Sequence, residues 1–335
     1  MADRYEPQIV VTGWASPPAN QTWFRLPNPQ FSAKSRAGFL LYFFPNMFRW
    51  RGLVRGAAAV NPHFAGLEIL PLVLLRKLRF SPRLVISVHG ADVTEAERST
   101  GIARSLYAWM YAQADLVIAC SDALANKVKQ ICPKAKLATV WNGVSGPPAI
   151  SEERPMASPY LISVAAFVRK KGHDVLLNAF RQVASRLPDL YLVLLGGDGP
   201  EREHVTSLIA LLGLGNRVRI QVNVPHDQIW NWVQHAECFV LASRDEPFGI
   251  AVLEAGMVRT PIVATRVGGI PEFLVDRLHG LLCEPEKPEA LANSILQVLD
   301  HSDEARTRAA AFYQQAVGFT WTAAFGKYQT LLRLN

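Results

Sequence analysis

The stretch Glu246-Pro247-Phe248-Gly249-Ile250-Ala251-Val252-Leu253-Glu254 places two acids eight residues apart around a Pro-Phe-Gly turn. A turn before an apolar run predicts a strand-to-helix connection, with the helix beginning near Gly249. Eight helical steps of ~100° leave the two acids ~80° apart around the axis, so both can face one cleft. A helix N-terminus attracts phosphate and carboxylates attract sugar hydroxyls. The stretch therefore indicates a site for a molecule that carries both, a nucleotide sugar.

The composition is that of a folded globular protein with room for two domains. The chain has 335 residues, of which 50% are hydrophobic and 19% are charged. Its four cysteines form no C-x-x-C pair, which argues against a zinc site or a disulfide framework and favours a reducing, cytoplasmic compartment. We expect no signal peptide, because residues 1–7 are polar and charged, and no membrane span, because no apolar run reaches ~20 residues.

The net charge of +7 is concentrated in the first half of the chain. Residues 1–150 contain 17 Lys/Arg and 8 Asp/Glu, whereas residues 151–335 contain 18 and 20. In the basic half, large apolar side chains accompany the cations within residues 37–83. This mixture favours an anionic membrane surface over nucleic acid as the partner. An ordinary helix with a basic outer face explains the same pattern equally well.

Short β-rich runs alternate with helical patterns, which predicts a parallel α/β architecture. The predicted strands are residues 8–12, 56–60, 84–88, 116–119, 138–140, 160–164, 191–195, 218–222, 238–241, 261–264 and 280–282. The predicted helices are residues 102–113, 122–131, 173–187, 201–212, 226–235, 250–258, 288–300 and 321–332. Ser121 or Asp122 is expected to cap the second of these helices.

A Gly-Pro-Pro run at residues 146–148, followed by a charged segment that ends at Pro155, predicts a linker. We therefore expect one domain over residues 1–150 and a second over residues 151–335, each a doubly wound sheet, facing a cleft. Ligands of such sheets bind at the C-terminal ends of the strands.

Three further loops of the second half follow predicted strands. Lys171-Gly172 could reach a diphosphate, and the glycine loops at residues 196–199 and 268–269 could present N–H groups to phosphate oxygens. Each loop alone is also typical of a solvated or tight turn. Their common position after the strands of one sheet favours a joint phosphate site.

In this order, the segments resemble retaining glycosyltransferases of family 4, which have the GT-B fold. In the second half, the resemblance covers nearly all of residues 158–330 and rests on Lys171-Gly172, Gly196–Pro200, Ala242–Ile250, Leu253–Ala255, Thr260–Thr265, Val267–Phe273 and Gly280–Leu282. In the first half, looser matches occur in the family's order at Val60–Phe64, Val88–Asp92, Ala114–Ser121 and Val140–Val144.

The resemblance implies two Rossmann-like domains facing a cleft, an acceptor-side domain at 1–150 and a nucleotide-sugar-binding domain at 151–335 with the final helix at 321–332. The first domain lacks the opening strand, Gly-Gly loop and helix of its relatives. A truncated start and a degenerate protein both explain that difference.

The resemblance also implies a role for individual residues. Glu246 would contact the donor sugar, Glu254 the ribose, and the N–H groups of Gly249 and Ile250 the diphosphate, while Lys171 would neutralise the leaving nucleoside diphosphate. His89 would lie near the transferred sugar, although a packed histidine at a strand end explains it too. The other donor-binding positions would be Ala166, Arg169, Lys170, Gly197, Asp198 and Phe248.

One departure from the family concerns the diphosphate. Ala165-Ala166 stands where relatives have Gly-Arg, and that arginine joins the lysine on the diphosphate. Arg169 or Lys170 could substitute from a different position. An uncompensated loss of the charge-assisted contact would cost ~1.5–3 kcal/mol.

The implied function is transfer of a sugar, with retained configuration, from a nucleotide sugar to a hydroxyl of a glycan, glycolipid or lipid-linked acceptor. No cofactor or metal is expected, in agreement with the absence of an Asp-x-Asp motif. Work in polysaccharide or glycolipid assembly at the cytoplasmic face of a membrane would suit the basic first half. The alternatives are a degenerate or truncated non-catalytic nucleotide-sugar-binding protein and, less favoured, a GT-B-fold epimerase.

Overall fold

The computed structural model describes residues 9–12, 23–26, 47–48, 50–52, 54–55, 57–147 and 152–332. They form two compact units. The first contains the described residues up to Ile118, together with Lys127–Ala138 and those from Phe325 onward, and the second contains Ala119–Asn126 and Thr139–Ala324. The domain boundary near residue 150 stays a prediction.

The first unit is built on a four-stranded sheet in the order β3-β4-β5-β6. These strands are β3 (Ala59–Val60), β4 (Arg83–Val88), β5 (Leu116–Ala119) and β6 (Leu137–Thr139). A separate parallel pair joins β1 (Ile9–Thr12) to β2 (Trp23–Leu26). The helices are Leu70–Lys77, Ala91–Arg98, Gly101–Gln113 and Asp122–Ile131. Ser121 caps the last of them, because its hydroxyl accepts the N–H of Leu124 at 3.0 Å.

The second unit is built on a six-stranded parallel sheet. Its strands are β7 (Tyr160–Val164), β8 (Tyr191–Gly196), β9 (Val218–Val222), β10 (Cys238–Leu241), β11 (Ile262–Thr265) and β12 (Leu281–Cys283). The helices are His173–Arg186, Arg202–Leu211, His226–Gln234, Ile250–Met257, Ile270–Phe273, Pro288–Asp300, Ser302–Ala316 and Trp321–Leu332. Apolar side chains of the strands and helices pack on the sheet, as in the helix His173–Arg186, whose Val175, Ala179 and Val183 are buried at helical spacing.

The order of the second sheet is β12-β11-β10-β7-β8-β9. In this order the first strand, β7, lies beside the fourth, β10, and the chain winds outward in both directions from that pair. This is the strand order 3-2-1-4-5-6 of dinucleotide-binding folds, in which ligands bind beyond the carboxyl ends of the strands where the order reverses. The expected doubly wound sheet is confirmed, and the loops after β7 and β10 lie at its switch point.

Glu272 explains why residues 119–126 group with the second unit. Its carboxylate accepts the N–H groups of Asp122 at 2.9 Å and Ala123 at 2.8 Å, and also the indole N–H of Trp141 at 3.0 Å. One acid thus joins three segments that are more than a hundred residues apart in sequence.

The predicted elements agree with the structure to within about two residues wherever they are described, apart from the strand at 56–60. That strand is shorter, since only Ala59–Val60 pair. Among the described helices, none is both long enough and apolar enough to pass through a bilayer.

Candidate active site

Lys171 and Glu246 meet at the switch point of the second sheet. Lys171 lies in the loop after β7 and Glu246 in the loop after β10, and the lysine ammonium donates a hydrogen bond to the glutamate carboxylate. Both side chains are largely shielded, with 18% and 10% of their surface exposed. Ser243 also donates to Glu246, at 3.3 Å. Two residues predicted from separate motifs therefore form one ion pair at the expected edge of the sheet.

Arg244 braces the two loops against each other. Its backbone N–H donates to the carbonyl of Lys170 at 2.7 Å, and its guanidinium donates to the carbonyl of Arg169 at 2.8 Å. The guanidinium also forms a two-pronged ion pair with Asp174, at 2.7 and 2.8 Å. This hydrogen-bonded pair raises the pKa of Arg244 and lowers that of Asp174. Arg244 was not predicted, since no motif in the sequence links it to the Lys171 loop.

Gly172 is required where the two loops touch. Its φ is +65°, and a β-carbon there would lie 2.1 Å from the carbonyl oxygen of Ala242. Only glycine fits so close an approach in the left-handed region. The sequence pair Lys171-Gly172 thus places the lysine beside the loop that carries Glu246.

The helix that follows Glu246 begins at Ile250, with Gly249 as the residue before its first turn at φ +109°. The first N–H groups of a helix have no partner within it, so this end can accept an anion. Glu246 lies in the loop before the helix rather than on it. Phe248 is 2% exposed, with its ring 5.1 Å from that of Phe273, so only its backbone could contact a ligand.

Glu254 lies one turn inside the same helix, and its carboxylate contacts His226 Nε2 at 2.8 Å. Burial raises the pKa of Glu254, and the contact with His226 opposes that change. His226 begins the helix after β9, and its ring is largely exposed. It was not predicted, because the 28 residues between the two positions give no spacing signal.

The other expected donor-binding residues surround the loop after β7. A β-carbon on Gly197 would lie 3.9 Å from the methyl group of Ala166, so the position that carries arginine in relatives lies beside the glycine loop. Asp198 pairs with Arg202 at 3.0 Å. Within the described part of the chain, the side chains of Arg169 and Lys170 form no ion pair.

His89 lies in the first unit, directly after β4 and before the helix Ala91–Arg98. Asp92 fixes this turn by accepting the N–H groups of His89, Gly90 and Val93 at 2.8 to 3.2 Å. The imidazole of His89 contacts His63 at 2.9 Å and stacks on Phe64. His89 is therefore a strand-end residue, as predicted, but one whose ring is partnered by another histidine.

His173 gives a prediction about stability. It is 3% exposed and stacked on Phe167, and neither ring nitrogen has a hydrogen-bond partner among the described residues. Burial lowers the pKa of His173 to about 4. Because the unfolded chain binds a proton near pH 6.5, the free energy of unfolding should fall as pH drops from 6.5 towards 4, and be unaffected by this group above 6.5.

The variant His173→Leu lacks this group, so its thermal midpoint should fall less than that of the wild type between pH 7 and pH 5. The expected relative gain is on the order of 1–2 kcal/mol. His204→Leu, on an exposed helix position, is the matched control. A parallel decline of wild type and His173→Leu in thermal unfolding across this range would contradict the prediction.

Comparison with known families accounts for nearly the whole chain. The model "Glycosyltransferase Family 4" matches residues 1–145, and the model "Glycosyl transferases group 1" matches residues 150–315. The chain belongs to glycosyltransferase family 4.

Similar family members come from several bacteria. The chain is 31% identical over 219 residues to D-inositol 3-phosphate glycosyltransferase of Corynebacterium diphtheriae, covering 63% of this chain and 51% of that one. It is 30% identical over 201 residues to the lipopolysaccharide core biosynthesis glycosyltransferase LpsE of Rhizobium meliloti, covering 58% of this chain and 57% of that one. The chain thus spans about half the length of the curated relatives it matches.

Solved structures show the fold of this glycosyltransferase family member. Sucrose-phosphate synthase from Thermosynechococcus elongatus superposes with a TM-score of 0.77 at 22% identity, covering 93% of this chain and 83% of that one. Anabaena Alr3699/HepE, solved with UDP and glucose, gives 0.78 at 20% identity, covering 94% and 86%. The expected GT-B fold is confirmed.

Proposed function

We propose that this chain transfers a sugar from a nucleoside diphosphate sugar to an acceptor hydroxyl, with retained configuration and without a metal. The contact between Lys171 and Glu246 at the switch point of the second sheet supports this function most strongly. It combines a cation for the diphosphate with a carboxylate for sugar hydroxyls. In the absence of donor, each neutralises the other.

The neighbouring groups suit the rest of a donor. The N-terminus of the helix Ile250–Met257 is suited to the diphosphate, and Glu254, inside that helix, to the ribose hydroxyls. Anabaena Alr3699/HepE has been solved with UDP-glucose, which makes uridine nucleotides the first donors to test.

In the proposed reaction, the bond between the anomeric carbon and the diphosphate oxygen breaks, and the acceptor oxygen bonds to the same face of the sugar. The proton of the acceptor hydroxyl passes to the leaving diphosphate. Lys171 stabilises the negative charge that grows on that leaving group, a contribution that is larger in the transition state than in the ground state.

The test is incubation of the full chain with a panel of labelled UDP, GDP and ADP sugars, with glycan and lipid-linked acceptors. We expect transfer, or slow hydrolysis without acceptor, for one donor class, and a product with the donor's anomeric configuration. Absence of any donor cleavage across the panel would contradict a catalytic function.

A non-catalytic nucleotide-sugar-binding protein is the second candidate, and Ala166 favours it. No cation of this residue stands beside Gly197, so the diphosphate would lose one charged partner. Calorimetric binding of a donor without turnover would support this alternative. The variant Ala166→Arg should then raise donor affinity ~10-fold or more, since a charge-assisted hydrogen bond contributes ~1.5–3 kcal/mol.

A lipid-linked acceptor is proposed from the surface of the first unit. Phe80 is 55% exposed with Arg51 5.0 Å above its ring, Leu78 is 50% exposed, and Lys77 lies 5.8 Å above the ring of Trp109. Arg76, by contrast, is paired with Asp115 at 2.6 Å. Residues 39–44 and Arg49, which belong to the same predicted surface, lie outside the described residues.

We predict that the chain binds vesicles containing anionic lipid and that salt releases it, because each surface cation adds ~1 kcal/mol within a Debye length. Lys77→Glu should weaken binding ~5-fold or more in a sedimentation assay. Lys287→Glu, an exposed substitution in the second unit, is the control. Equal binding to neutral and anionic vesicles would count against a membrane surface as partner.

A further inference from the structure

Three polar residues of the first unit form a hydrogen-bonded chain at one edge of its sheet. Asn61 and His63 follow β3, and His89 follows the neighbouring strand β4. His63 Nε2 lies 3.0 Å from Asn61 Oδ1, and His63 Nδ1 lies 2.9 Å from His89 Nε2. The two imidazole planes differ by 18°, so a nitrogen lone pair of one ring can point along the N–H bond of the other.

The orientation of the Asn61 amide starts the assignment. Its Nδ2 lies 2.8 Å from the carbonyl oxygen of Val85 and 2.9 Å from the hydroxyl of Ser87. A carbonyl oxygen only accepts hydrogen bonds, so the atom that faces it must be the NH₂ group. Oδ1 is therefore the atom that faces His63.

The remaining protons follow in turn. Asn61 Oδ1 only accepts, so His63 Nε2 carries a proton and donates it. In a neutral imidazole the other nitrogen then accepts, so His63 Nδ1 offers a lone pair to His89. His89 Nε2 must carry the proton between the two rings, and His89 Nδ1 is left without one.

We infer that Asn61 and His63 are positioning residues that hold His89 in the Nε2–H tautomer, so that His89 Nδ1 accepts a hydrogen bond from a hydroxyl of the transferred sugar. The last part rests on the proposed function. The tautomer itself does not.

The surroundings of the pair keep both rings neutral and fixed. Burial lowers the pKa of His89 to about 4 and, together with the nearby His89, that of His63 to about 4. The titratable groups beside His89 are His63 and Asp92, and Asp92 bonds only to backbone N–H groups here. Phe64 lies 4.3 Å from the His89 ring and Tyr328 lies 6.0 Å from that of His63, which restrains rotation of both.

The inference has a direct test that needs no substrate. In the full chain labelled with ¹⁵N-histidine, we expect a proton on His89 Nε2 and a through-hydrogen-bond coupling to His63 Nδ1. His63→Gln and His89→Gln assign the resonances. A proton on His89 Nδ1, or His89 titrating near pH 6.5, would overturn the inference even if the enzyme is active.

Kinetics test the role of the tautomer. His63→Phe keeps an aromatic ring but removes the acceptor, and we expect kcat/KM for the donor to fall about 10-fold, the equivalent of one lost hydrogen bond. His63→Gln offers one carbonyl and one NH₂ group and should recover to within about 3-fold of the wild type. Equal activity of His63→Phe and wild type would overturn the positioning role. Absence of turnover in every variant, with the expected coupling present, would instead count against the proposed function alone.

Discussion

Replacing Lys171 by methionine is expected to lower kcat/KM for the donor ~100- to 1000-fold, the cost of removing one preorganised group from a developing negative charge. Methionine keeps much of the side-chain length but has no charge. The ammonium now lies against Glu246 at the switch point, within reach of a leaving diphosphate. The measurement is steady-state donor cleavage, together with thermal unfolding to confirm that the variant is folded.

Lys287→Met is the matched control, since Lys287 is exposed and precedes the helix Pro288–Asp300 on the same unit. It should leave kcat/KM within about 2-fold of the wild type, as surface substitutions away from a site do. A folded Lys171→Met variant with wild-type kcat would show that this lysine does not stabilise the leaving group.

Replacing Glu254 by glutamine is expected to raise the donor KM ~10- to 100-fold with little change in kcat. A charge-assisted hydrogen bond to a ribose hydroxyl is worth ~1.5–3 kcal/mol, and it is present equally in the ground and transition states. Glu254 is 15% exposed and its only printed partner, His226, is an exposed ring that a ribose could displace.

The ribose contact can be isolated with 2′- and 3′-deoxynucleotides. The wild type should discriminate against at least one of them, and Glu254→Gln should lose most of that discrimination. Glu152→Gln, in an exposed segment before β7, is the control for removing a carboxylate. Unchanged discrimination in a folded Glu254→Gln variant would assign the ribose to other residues.

Much of the fold was predictable because the strands of the second unit are short apolar runs bounded by glycine and polar turns. The helix Ser302–Ala316 was missed for a physical reason. Its buried positions include Ala305, Ala309 and Ala316, and alanine gives little hydrophobic contrast at helical spacing. The helix Ala91–Arg98 was missed because it follows the Gly90 turn directly and its charged residues hide a buried face of Val93 and Ala96.

The candidate site was predictable residue by residue but not as an arrangement. Lys171 and Glu246 each follow a predicted strand, yet only the sheet order, with β7 beside β10, brings them together. Partners such as Arg244 and His226 belong to no motif that points to them. Phe248 shows the opposite case, since a residue inside the motif is buried in the core.

The most direct test of the donor site is calorimetric titration of the full chain with UDP, GDP and ADP. One saturable site is predicted for at least one nucleotide, with affinity ~10-fold or more weaker in both Lys171→Met and Glu254→Gln, because each loses a charged partner. Absence of binding by all three nucleotides, or equal binding by the wild type and both variants, would contradict a nucleoside diphosphate site at the switch point of the second sheet.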